Sequence, residues 1–151
     1  MEDFILIPTF LALLVVTYTD IRYRRVPRIV IGAGLGTQLV CLIVLSTITQ
    51  YWDNLIMSIV CMLVCTAIQY ILALIRPGAL GLGDVTAAAL ITFALGWLGF
   101  IPILLWWLYS GICGLIQLAV AHIRHHTSIP FIPAMTLSFC ASVATQMLIL
   151  T

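Results

Sequence analysis

Two acidic residues stand where acids are costly. Gly81-Leu82-Gly83-Asp84 opens one long apolar run, and Asp20 closes another. An aspartate at mid-bilayer costs about 2.5–3.5 kcal/mol on insertion scales, so an acid at the margin of a membrane segment points to function. Two carboxyl groups held close together cannot both ionise cheaply; they share a proton and titrate as a pair. One then acts as base toward water while the other donates to a substrate carbonyl. That division of labour hydrolyses peptides without metal, serine or thiol. Asp20 and Asp84 are therefore the expected catalytic pair. Gly81 and Gly83 are the expected substrate-binding or site-shaping residues, because bare backbone turns tightly and offers peptide groups to an extended substrate strand.

Simpler roles exist for the same residues. Asp84 suits a helix N-cap, a role compatible with catalysis, and Asp20 can pair with Arg24 one helical turn on. His122, His125 and His126 share a face if their helix continues, but a helix C-terminus favours basic side chains without any metal. Cys61 and Cys65 lie one turn apart with no flanking His or carboxylate, and the chain has no Cys-x-x-Cys pair. No metal site and no cofactor is expected.

The elements that carry these residues are membrane helices. Of 151 residues, 64% are hydrophobic and 7% charged, more apolar surface than a soluble domain of this length can cover, so the solvent is a bilayer. Nucleic-acid binding is excluded for want of an extended basic face. The chain suits a single domain spanning residues 1–151. Apolar runs predict six spans, at roughly 4–19, 29–48, 55–75, 85–98 and 103–121, with a last one entered through Pro130 and Pro133 and ending by 150. The fold class is an all-α polytopic bundle. Glu2 and Asp3 stand where a secretory signal carries positive charge, so the first run is expected to be a retained helix. Gly32-x-x-x-Gly36 fits close helix packing. Trp97, Trp106 and Trp107 are expected at a membrane interface. Six spans put the loops at 20–28, 76–83 and 122–128 on one side. Every basic residue falls there: Arg22, Arg24, Arg25, Arg28, Arg76 and Arg124. The excess of arginine assigns that side to the cytoplasm and both termini to the outside, with Asp20 and Asp84 at the same cytoplasmic margin.

Gly81-Leu82-Gly83-Asp84-Val85 resembles the GxGD signature of the type IV prepilin peptidases, intramembrane aspartic peptidases of pilin and pseudopilin processing. Asp20, with an arginine-rich linker and Val26-Pro27 after it, looks like that family's first catalytic aspartate and its downstream proline. Ile129-Pro130-Phe131-Ile132-Pro133 resembles the sequence opening the family's last helix. The resemblance implies cleavage of a short basic leader from a pilin-like precursor, at the cytoplasmic face of a bacterial inner membrane. It implies peptidase activity alone, because the cysteine-rich insert of larger, N-methylating members is absent. Three positions depart from the family pattern: Thr86 where Lys is common, Arg28 where Asn or Asp is common, and Ile132 where a small residue is usual. Two further readings stay open. One is a catalytically degenerate relative that binds pilin-like helices during pilus or secretion-system assembly. The other is a small carrier using the two acids as an ion relay, against which stand the motifs and the lack of a detectable inverted repeat.

Overall fold

A computed structural model describes residues 5–23, 26–75, 81–124 and 131–150, with side chains for all of these except 121–124 and 150. Among the described residues there are six α-helices and no strands. They are α1 (Ile7–Tyr23), α2 (Arg28–Thr49), α3 (Trp52–Ile75), α4 (Leu82–Trp97), α5 (Phe100–Arg124) and α6 (Ile132–Leu150). In lipid every peptide group must be satisfied within its own segment, which leaves a continuous apolar run little alternative to helix. Four of the helices, α2, α3, α5 and α6, are long and apolar enough to cross a bilayer. α1 is shorter and carries Asp20 and Arg22 at its end.

Local chemistry sets the breaks. The Pro27 carbonyl accepts the first bonds of α2 from Val30 and Ile31, so the proline starts that helix as its N-cap. Gln50 ends α2 in the left-handed region at φ 61°. Gly99 makes the turn between α4 and α5 at φ 106°, a conformation that strains a residue with a side chain. The helices reach further than the apolar runs suggest. α3 begins at Trp52, which places Asp53 in its first turn rather than in a loop, and α5 takes in Pro102 near its start, where a missing N–H costs nothing.

α4 is the hub. It packs against each of the five other helices, and its side chains from Ala87 to Trp97 are all buried. A helix apolar on every face belongs inside. Its 16 residues reach only about 24 Å, less than the roughly 30 Å of hydrocarbon. The shortness is tolerable because its neighbours are protein, not lipid. Small residues allow the close approach. A Cβ on Gly96 would stand 2.6 Å from Ser58 Cα of α3, and one on Gly34 would stand 2.8 Å from Ala12 Cβ of α1.

Two expectations need correction here. Gly32 and Gly36 meet nothing within 4 Å and face outward, whereas Gly34 makes the contact. Two residues turn a helix by about 200°, so the packed glycine lies on the opposite face from the pair that matched the motif. Trp97 and Trp106 do not face lipid. Trp97 is buried at the end of the hub itself and Trp106 packs into the core around it, its indole N–H donating to the Met135 carbonyl at 3.2 Å. Outward-facing leucines such as Leu63, Leu115 and Leu118 cover the outside instead.

Candidate active site

The first acid sits in the last turn of α1. Asp20 is buried at 9% exposure, beside an outward-facing Arg22. One turn before it, Thr17 Oγ1 lies 2.8 Å from Thr136 Oγ1 of α6. The Thr136 hydroxyl donates to the Ile132 carbonyl, so Thr17 is the donor in the pair. This bond pins α1 to α6 directly below the acid, a kind of polar link that holds membrane helices in register.

The second acid sits in the first turn of α4. Gly81 is the helix N-cap and Asp84 is the third residue in. Asp84 Oδ2 accepts the Gly81 N–H at 3.1 Å, while the Gly81 carbonyl accepts the N–H of Asp84 at 3.0 Å. Asp84 therefore serves the helix start from inside the first turn, not from the cap position, as an acid near a helix N-terminus does favourably. Thr86 Oγ1 donates to the Gly83 carbonyl at 2.8 Å. Thr86 thus closes the same turn.

The two carboxyl groups come from distant parts of the chain, yet Asp84 lies within electrostatic reach of Asp20. The last described residues before α2 pack on the head of α4 beside Asp84. A Cβ on Gly83 would fall 2.5 Å from Val26 Cγ2 and 2.8 Å from Val26 Cβ, so Val26-Pro27 rests on the bare backbone of Gly83. Neither glycine carries a positive φ. Their contribution is close approach, and the peptide groups of Gly81 and the Gly83 carbonyl are already taken up within the turn. A cavity of about 590 Å³, lined by Thr19, Tyr23, Val26 and Pro27, lies at this end of the bundle. That volume is in the range of ligand sites.

Among the described residues, no group of three or more His, Cys, Asp or Glu side chains could hold a metal. Arg24, the sequence-expected partner of Asp20, lies outside the described residues, as do His125, His126 and the side chain of His122. Ile132 is fully buried in the core. Sequence reasoning missed Thr17 and Thr136, whose only signal is that Thr17 falls one turn before Asp20.

Residues 7–150 match the type IV leader peptidase family. The chain belongs to that family. The match takes in all six helices, so this leader-peptidase chain is a peptidase and a multi-pass membrane protein throughout. No curated protein and no solved structure gives a significant match.

Proposed function

We propose that this leader peptidase is an intramembrane aspartic endopeptidase that removes the leader from pilin-like precursors through Asp20 and Asp84. The reading is supported by the family match over residues 7–150 and by the electrostatic influence of Asp20 on Asp84, an acid far away in sequence. The arginine-rich loops support a position for the acid-bearing end of the bundle at the cytoplasmic face of the inner membrane, with both termini outside. In the reaction one carboxyl is ionised and the other protonated. The ionised acid takes a proton from water, the oxygen attacks the scissile carbonyl, and the protonated acid gives its hydrogen to the carbonyl oxygen. Collapse of the tetrahedral adduct breaks the C–N bond, and the leaving amine takes up a proton from the pair.

The cavity beside Thr19 and Val26 is the place for the extended segment around the scissile bond. No cofactor is invoked. Gly83 acts as a site-shaping residue by letting Val26 close on α4, and Gly81 by donating its N–H to the Asp84 carboxylate.

The test is co-expression with a pilin-like precursor in membranes free of other leader peptidases, scored for leader removal. Asp20→Asn and Asp84→Asn should each abolish processing while the chain still inserts. Unchanged processing by either variant overturns the dyad. Binding of precursor without cleavage by the unsubstituted chain would favour a degenerate relative.

A further inference from the structure

The cavity of about 590 Å³ is lined by Thr19, Tyr23, Val26 and Pro27, and its walls adjoin both acids. Thr19 precedes Asp20 on α1, and Val26 rests on Gly83, which precedes Asp84. An extended peptide in this space brings carbonyl oxygens with it, and each needs a donor once its water is displaced. Two of the four lining side chains carry a hydroxyl. Thr19 Oγ1 is spent on the Val16 carbonyl at 2.9 Å, the back-bond of a helical threonine. The Tyr23 hydroxyl bonds to none of the described residues, and the side chain is 61% exposed. It is therefore both uncommitted and reachable. Val26 and Pro27 present only hydrocarbon side chains, and Pro27 has no N–H to give.

Spacing along α1 aims this hydroxyl. Tyr23 follows Thr19 by four residues and Asp20 by three, so its side chain stands over the gap between them. Helical side chains lean toward the N-terminus of their helix, which carries the ring back over Thr19, its neighbour in the cavity wall. The Arg22 guanidinium carbon lies 5.9 Å from the ring centroid, a cation–π distance that helps to hold the ring in place. A tyrosine has only two side-chain torsions to fix, so ordering it on a ligand costs little. Asp20 and Tyr23 are separated by about 4.5 Å along the helix axis. Carbonyl groups of an extended chain recur about every 3.3 Å. The hydroxyl thus falls opposite a carbonyl close to the one that the acids attack.

We propose that Tyr23 is a substrate-binding residue whose hydroxyl donates to a backbone carbonyl of the precursor within two residues of the scissile bond. The contact reads extended backbone and not a side chain. It selects unwound precursor, because the carbonyls of a helical segment are already bonded within their own helix. The assignment rests on the function proposed above.

The test uses the full chain in proteoliposomes and a synthetic peptide running from the leader into the mature segment of a pilin-like precursor. Tyr23→Phe keeps the ring and removes the hydroxyl. It should raise KM about fivefold, the size of one net hydrogen bond. Both kcat and melting temperature should stay at the parent values, as for a contact made equally in the bound and transition states. Peptides with a single amide replaced by an ester, whose carbonyl is a weaker acceptor, locate the partner. At one position within two residues of the cut, the ester should raise KM for the parent chain and cost the Tyr23→Phe chain nothing further. An unchanged KM in Tyr23→Phe, or ester costs equal in both chains at every position, overturns the contact.

Binding of the fluorescent peptide to the Asp84→Asn chain, read by anisotropy, separates this contact from the peptidase reading. If the parent cleaves nothing and adding Tyr23→Phe weakens binding about fivefold, the contact is upheld and the peptidase reading is overturned. If the parent cleaves and binding is equal with and without Tyr23→Phe, the contact is overturned and the peptidase reading stands.

Discussion

A methyl group at Gly83 probes how the α1–α2 linker and the head of α4 hold the acid pair. In Gly83→Ala the new Cβ falls 2.5 Å from Val26 Cγ2 and 2.8 Å from Val26 Cβ, where carbon atoms settle at about 3.5–4.0 Å. The linker and α4 must separate by about 1 Å to restore contact distance. Overpacking of that kind costs about 1–3 kcal/mol, which lowers the melting temperature of a chain this long by a few degrees. Activity should suffer more. Asp84 follows Gly83 directly and Asp20 is tied to Val26 through the end of α1, so the separation moves one acid relative to the other. A misplacement near 1 Å at a reacting centre costs on the order of 10²-fold. The assay is the initial rate of leader removal from a pilin-like precursor in proteoliposomes, at enzyme levels matched by quantitative blotting. Val26→Gly in the same chain removes both clashing atoms and should restore most of the lost rate. Gly32→Ala, where nothing lies within 4 Å, is the control. A Gly83→Ala chain that cleaves at the parent rate, or a double variant as impaired as the single one, refutes the reasoning.

Other perturbations follow from the same geometry. Gly96→Ala should lower the melting temperature in detergent through a cost of about 1–3 kcal/mol, since its Cβ meets the Ser58 backbone at 2.6 Å and no rotamer change relieves it. Thr17→Val should cost about 0.6 kcal/mol of stability. It should slow cleavage severalfold without changing precursor binding, because the bond to Thr136 holds α1 below Asp20; an unaltered rate would show that Asp20 needs no such anchor. Thr86→Ala removes the hydroxyl from the Gly83 carbonyl and should cost about 1 kcal/mol, read as a lower melting temperature with cleavage retained.

Helix number and order were legible because continuous apolar runs in lipid leave the backbone few choices. The two acids were legible for the opposite reason, as polar groups in the wrong solvent. What pattern alone did not supply was which face of each helix turns inward. Gly32 and Gly36 matched a packing motif, yet Gly34 between them makes the contact. Motif spacing identifies a stripe and not the neighbour it meets. Trp97 and Trp106 lie near a turn, where aromatic residues usually sit at the interface, but α4 and α5 carry them into the core. The shortness of the fourth span was visible, whereas its cause, enclosure by five helices, depends on contacts between segments distant in sequence. The Gly83–Val26 contact was hidden for the same reason: each half of it looks ordinary until the linker folds over α4.

The enclosure of α4 also governs the order in which the molecule can be built. Synthesis delivers α4 when only α1, α2 and α3 are available to cover it, and the faces meant for α5 and α6 wait against lipid. α5 and α6 pair closely with each other and so arrive as a preassembled hairpin that seals the remaining sides. Thr136 reaches Thr17 only at that last step, so on the proposed mechanism the acid pair is completed only with biogenesis. On that mechanism a nascent chain stalled before its final hairpin would be inserted yet unable to cut, and hydrolysis would wait until assembly is over.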